Sequence, residues 1–187
     1  MIIGHRQVER NGIIYIIRSA VREDAAELSA IRLQIDGETE NMERRQGEGF
    51  ISPEGFEEII RKDTEADRNL FLVAEVEGKL AGFARCEGSV LSRNAHKVEF
   101  GICILRAFWG YGIGYSLLQQ ATSWADSQGI VKMGLTVLET NTGAISLYRR
   151  FGFETEGILK KDKLLADGTY YSTLVMGRFK DQLTDEA

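Results

Sequence analysis

The stretch "FWGYGIG", Phe108 to Gly114, places three glycines in alternation with bulky residues. It follows an apolar run, "KVEFGICIL" (Lys97 to Leu105), and precedes "YSLLQQATSWADSQG", in which Leu117, Leu118, Ala121, Trp124 and Ala125 share one helical face and Gly129 ends the helix. The segment therefore reads as strand, bare turn, helix. A helix start leaves N–H groups without intrahelical partners and carries a partial positive charge. Glycines ahead of it let an anion approach the backbone. A phosphate or diphosphate is the candidate ligand, and a tight turn without a ligand is the alternative. A Walker loop needs Gly-Lys-Ser/Thr, but Gly114 is followed by Tyr115 and Ser116. The dinucleotide pattern G-x-G-x-x-G fails as well, because its third position is Tyr115 or Leu117.

The rest of the chain reads as one mixed domain over residues 13–180, with an N-terminal extension (1–12) and a C-terminal tail (181–187). "IIYIIR" (Ile13 to Arg18) is a first strand. "REDAAELSAIRLQI" has helical spacing at Ala25, Leu28, Ile31 and Ile35. A polar loop, "DGETENMERRQGEG", leads to a second helix opened by Ser52 as N-cap and Pro53. Phe71 to Val76 and Leu80 to Ser89 form a hairpin across "EGK". After the glycine segment, Val131, Met133, Leu135 and Val137 alternate as a strand. "NTGAISLYRRFG" is a helix with Asn141 as N-cap candidate and Gly152 as terminator. Two last strands, near Phe153 to Lys161 and Thr169 to Phe179, flank "ADG". The class is α+β.

Composition narrows the function. The net charge of −5 opposes a nucleic-acid binder, which would show a basic face; it suits a cationic small molecule or serves solubility. No apolar run approaches the roughly 20 residues of a membrane span, and a cytoplasmic protein is expected. The two cysteines, Cys86 and Cys103, read as small buried hydrophobes. With only His5 and His96, no histidine pair has metal-ligand spacing, and no metal is expected.

At the glycine turn the chain resembles the GCN5-related N-acetyltransferases (GNAT). Their cofactor motif Q/R-x-x-G-x-G/A aligns as Trp109-x-x-Gly112-x-Gly114, with Trp109 in place of Gln or Arg. A second stretch is similar to N-x-x-A-x-x-L-Y-x-x-x-G-F, matched at Asn141, Ala144, Leu147, Tyr148, Gly152 and Phe153. The resemblance spans roughly Ile13 to Phe179. It implies a mostly antiparallel sheet of six to seven strands, about four helices, and splayed fourth and fifth strands. It further implies acetyl-CoA as co-substrate, its diphosphate on the amides of Trp109, Gly110, Tyr111, Gly112, Ile113, Gly114 and Tyr115. The pantetheine arm is expected along Ile102, Cys103 and Ile104, with Asn141 touching the cofactor or only capping its helix.

The same resemblance gives Tyr148 as the acid near the departing sulfur and Glu99 as the base acting through water. Tyr148 as a core residue, Glu99 as a solvated strand residue and His96 as the base are the alternatives. Arg106 is a further candidate for a phosphate or a solvated arginine. Asp36, Glu38, Glu40 and Glu43 could meet an ammonium group or form a charged loop. Many relatives carry an acid around Ser172 to Thr173; this chain does not. The implied activity is acetyl transfer to a primary amine of a small molecule in a ternary complex. A protein N-terminal acetyltransferase, a non-catalytic acyl-CoA-binding module and a nucleotide-binding protein are the other readings. Relatives often dimerise, and the apolar last strand reads as an edge that could pair, so a homodimer is expected.

Overall fold

The structure, a computed structural model, describes residues 2–180; the expected tail, 181–187, lies outside the described residues. Among the described residues eight strands form one sheet: β1 (Arg6–Arg10), β2 (Ile13–Ser19), β3 (Leu70–Val76), β4 (Lys79–Gly88), β5 (Lys97–Ile104), β6 (Lys132–Leu138), β7 (Glu154–Leu164) and β8 (Tyr170–Phe179). Their order is β1-β2-β3-β4-β5-β6-β8-β7. Among the described residues four α-helices accompany them: α1 (Ala25–Glu38), α2 (Pro53–Glu65), α3 (Ile113–Ser127) and α4 (Thr142–Arg150). The α+β class and the mostly antiparallel sheet are those expected, with one strand more.

The additional strand is β1, inside the segment read as an extension. Asn11 and Gly12, at φ 49° and 84°, make the two-residue turn that returns the chain into β2. The pairing runs from Arg6↔Ile17 to Arg10↔Ile13. Glu77 and Gly78 (φ 49° and 78°) turn the β3–β4 hairpin in the same way. Ser52 Oγ accepts the Gly55 amide at 3.2 Å, the N-cap expected for α2. Helix α1 runs three residues past Ile35, into the segment read as loop.

One reading of the sheet needs correction. The last strand is not an edge: β8 pairs with β6 from Lys132↔Phe179 to Leu138↔Thr173 and with β7 on its other side. The edge at that end of the sheet is β7, because the final hairpin folds back with its second strand inward.

The described residues fall into two compact units, 2–87 with 101–121 and 88–100 with 122–180. The first has an apolar core of Leu28, Ile31 and Ile35 from α1, Phe56 and Ile60 from α2, and Phe71, Val73 and Leu80 from β3 and β4. Phe56, Phe71 and Phe83 pack their rings at 5.9–6.3 Å between centroids. In the second unit, Trp124, Ala125, Met133, Leu135, Val137, Ile145, Tyr148 and Phe153 are buried. Among the described residues the one parallel ladder pairs β5 with β6, from Lys97↔Lys132 to Glu99↔Gly134, while both strands continue beyond it.

Candidate active site

In the first unit the glycine turn is built as the sequence requires, with one difference. Gly110 and Gly112 lie in the left-handed region, at φ 83° and 84°, where a side chain is strained. Gly114 belongs instead to the first turn of α3. The ladder of α3 opens with Ser116 N–H donating to Gly112 O at 3.1 Å, so the amides of Ile113, Gly114 and Tyr115 precede it. The side chain of Ile113 is core, while Tyr111 is exposed.

Trp109 is placed by a bond that its motif position does not announce. Its indole Nε1–H donates to Ile104 O at 2.9 Å, closing the chain from the end of β5 onto the turn. The Ile102–Ile104 backbone expected to meet the pantetheine arm is thus tied at Ile104. Gly82 of β4 allows that strand its close approach to β5: a Cβ there would sit 2.6 Å from Cys103 O. Cys103 is half-buried, its sulfur 3.7 Å from Met42 Sδ. Burial pushes its thiol up to about 11, so it is protonated at neutral pH.

Three side chains that sequence reasoning missed hold the turn. Asn11 Nδ2–H donates to Gly110 O at 2.8 Å. The Tyr15 hydroxyl donates to Gly112 O at 3.1 Å and lies 2.8 Å from Ser116 Oγ. The side chain of Arg10 crosses Gly112, and its guanidinium lies 4.0 Å from the centroid of the Tyr115 ring. All three come from the N-terminal hairpin. The dipeptide Asn11-Gly12 was the available signal, since it marks two-residue hairpins. Bare backbone, a helix start and a cation give a donor set of the kind a diphosphate needs, so the residues present fit the expected cofactor.

Two of the acidic residues expected to meet an ammonium group, Asp36 and Glu38, are engaged within this unit. Asp36 is buried and takes Arg44 at 3.3 Å. Glu38 accepts the backbone N–H of Arg106 at 2.7 Å and Gln34 Nε2 at 2.7 Å. Arg32, buried beside them, donates to Gly49 O at 2.7 Å. Desolvation and the neighbouring Arg44 hold its guanidinium below the ordinary arginine range. The Arg106 side chain is exposed.

The second unit carries Glu99, Asn141 and Tyr148. Glu99 is exposed on β5, next to buried Phe100. Its carboxylate lies across β6 at Gly134, where a Cβ would be 2.9 Å from Oε2 and 3.0 Å from Oε1. Gly134 is thus the bare position that lets the carboxylate lie on the neighbouring strand. It was missed because register is needed to pair it with Glu99. Tyr148 is 6% exposed on α4, its ring edge-on to Phe100 (centroids 6.4 Å apart) and tilted on Phe153 (5.7 Å). It is therefore a core ring that also packs beside the strand of Glu99. Asn141 Oδ1 accepts the Ala144 amide at 3.3 Å and caps α4. His96 lies in the turn before β5, where its carbonyl accepts Val131 N–H at 2.9 Å. An acid does stand near Ser172: Glu139, just past β6, accepts the Ser172 amide. Among the described residues, no cluster of three or more potential metal ligands occurs.

Residues 37–153 match the model of the Acetyltransferase (GNAT) family. The chain is 31% identical to the L-amino acid N-acetyltransferase AaaT of Escherichia coli (strain K12) over 110 residues, which is 58% of this chain and 67% of that protein. Two further relatives are matched over 46% and 59% of their own lengths, so the chain spans less than two thirds of each. Among solved structures, a GNAT-family acetyltransferase from Streptococcus pneumoniae superposes with a TM-score of 0.85 at 29% identity, covering 89% of this chain and 99% of that one. A second structure, yncA of Salmonella typhimurium with its cofactor acetyl-CoA, shares the fold at TM-score 0.78 and 19% identity, over 89% and 94% of the two chains.

Proposed function

We propose that this chain, which belongs to the GNAT acetyltransferase family, transfers the acetyl group of acetyl-CoA to the primary amine of a small molecule of the amino-acid class. It is an acetyl-CoA-dependent acyltransferase; the acceptor class and the residue roles are our reading. The observation that carries it is the placement of Glu99. An exposed carboxylate resting on a bare glycine keeps its oxygens open to an incoming ammonium group or to water. An aliphatic ammonium with a pKa near 10.4 is neutral in only about one molecule in a few thousand at pH 7. A base must therefore take its proton before the nitrogen can attack.

Bound acetyl-CoA supplies an activated acyl group as a thioester. The amides of the glycine turn would hold its diphosphate, and the Ile102–Ile104 backbone would guide its arm. Glu99 receives the proton of the amine, directly or through water. Tyr148, fixed between Phe100 and Phe153, donates its phenolic proton to the leaving sulfur. The amino-acid class is supported by the likeness to AaaT, which carries that acceptor in its name.

The test is a thermal-shift titration followed by an acceptor screen. A ligand present at 100 times its dissociation constant, and bound only by the folded state, adds about 2.7 kcal/mol. Acetyl-CoA and CoA should raise the melting temperature while ATP should not, and Gly112→Glu should abolish the shift. A panel of L-amino acids should then release thiol from acetyl-CoA. Acetylation of peptide N-termini with no turnover of free amino acids would replace the small-molecule reading. No shift with either CoA species would remove the cofactor reading.

A further inference from the structure

The glycine turn has Trp109 where the family motif has Gln or Arg, so no cation stands at that position. Position 109 is Trp, and its indole N–H is used on Ile104 O. Between Leu105 and Tyr115 the only cationic residue is Arg106, whose side chain is exposed and whose amide is bound to Glu38. A cation lies on the turn nonetheless, brought from about a hundred residues earlier in the chain.

That cation is Arg10, the last residue of β1. Its stem runs over Gly112 so closely that a Cβ there would collide with Cδ and stand 2.7 Å from Nε. Its guanidinium stacks on the ring of Tyr115, at 4.0 Å from the centroid. A guanidinium held by its face keeps its N–H edge available, and that edge is the part that grips phosphate oxygens in pairs. No carboxylate pairs with Arg10 among the described residues. The hairpin cannot drift from the turn without breaking two further contacts, Asn11 to Gly110 O and Tyr15 to Gly112 O.

We propose that Arg10 is a phosphate-binding residue, whose guanidinium takes the diphosphate of the acyl-CoA held on the glycine turn and supplies the charge absent at position 109. This rests on the reading that the turn binds acetyl-CoA. It gives β1 a task beyond closing the sheet, and gives Gly112 a second reason to be glycine. The cofactor site is then completed by a hairpin that lies outside the residues matched by the family model.

Calorimetric titration of the full chain separates the two readings. Wild type, Arg10→Met and Arg10→Lys are each titrated with acetyl-CoA, 3′-dephospho-CoA and S-acetylpantetheine, which has no phosphate. Met keeps an apolar stem on Gly112, and melting curves verify that each variant is folded. Arg10→Met should bind acetyl-CoA about tenfold to a hundredfold more weakly, as loss of a charge-assisted contact predicts. The same penalty should hold for 3′-dephospho-CoA and vanish for S-acetylpantetheine. Arg10→Lys should recover most of the affinity, and added salt should weaken wild type more than Arg10→Met. Equal affinity of wild type and Arg10→Met for acetyl-CoA overturns the proposal. So does an equal loss for S-acetylpantetheine, which would make Arg10 a support of the turn alone. A penalty that disappears with 3′-dephospho-CoA would move Arg10 to the 3′-phosphate and overturn the diphosphate assignment. Failure of wild type itself to bind acetyl-CoA removes the cofactor reading, and the proposal with it.

Discussion

The residues expected to act are positioned by different contacts in the two units. Around the glycine turn, Asn11, Tyr15, Ser116 and Trp109 each make a hydrogen bond, and two of these end on the carbonyls of the turn itself. In the second unit, Tyr148 is held by rings, and two buried polar atoms, Trp124 Nε1 and Thr173 Oγ1, find no partner among the described residues. The first arrangement fixes backbone direction, as a site that binds through amides requires. The second fixes the position of a ring and leaves a carboxylate, Glu99, open. Substitutions in the first unit should therefore act on binding and stability together. Those at Glu99 and Tyr148 should act on turnover with the fold intact.

The largest expected effect is on turnover. Tyr148→Phe keeps the ring and its packing and removes only the hydroxyl. We expect kcat to fall about a hundredfold, the lower range of general acid–base catalysis, with the dissociation constant of acetyl-CoA unchanged. Glu99→Gln should cost a similar factor at pH 7, and its deficit should shrink as pH rises. The sign follows from the acceptor, which sheds its own proton as pH approaches the amine pKa, so that the base is needed less. A pH–rate profile on both variants checks this. A uniform deficit at all pH values for Glu99→Gln would assign Glu99 to positioning. A loss of acetyl-CoA affinity in Tyr148→Phe would break the division of labour between the two regions.

Gly112→Ala comes next and tests the other side. The new Cβ meets the Arg10 stem and stands in a left-handed backbone, where a non-glycine residue costs roughly 1–2 kcal/mol. Melting temperature and acetyl-CoA affinity should both drop. Gly110→Ala is the control. It shares the positive φ, at 83°, but nothing lies within 4 Å of its Cβ, so it should lose only the backbone part. Equal effects at the two positions would mean that Arg10 yields freely.

What could be read in the sequence was local. The turn, its helix, the cap at Asn141 and the terminators Gly129 and Gly152 (φ 68° and 83°) depend on neighbours along the chain, and each appears where its pattern placed it, except that α3 begins two residues early and takes in Gly114. Contacts set by register could not be read. Glu99 meets Gly134 across a parallel pair, and Glu139 reaches Ser172 between strands far apart in sequence. Strand order was equally hidden: chain order made β8 look like an edge, while the sheet inserts it between β6 and β7. β1 was overlooked because Arg6, Gln7, Glu9 and Arg10 are polar, and an edge strand facing solvent needs no apolar period. That omission concealed the residues that hold the turn.

The smallest effect concerns Thr173, and it probes the apolar character of the second unit. Thr173 is 1% exposed on β8, paired with Leu138 and Leu159 on its two neighbours, and its hydroxyl has no partner among the described residues. Removing water from a hydroxyl without returning a hydrogen bond costs about 1–3 kcal/mol, and that cost is absent when the group is replaced by a methyl. Thr173→Val keeps the branching that suits a strand. It should therefore raise stability by about 0.5–1 kcal/mol, read from the denaturant midpoint at unchanged slope. A destabilised variant would mean that the hydroxyl is bonded in solution, by water or by a carbonyl. The second unit would then resemble the first more closely than its packing indicates. A stabilised variant with reduced turnover would mean instead that the hydroxyl acts on the surroundings of Glu99 through the sheet. Thr173 shares a sheet face with Leu138, and the same register carries that face to Gly134 and so to Glu99.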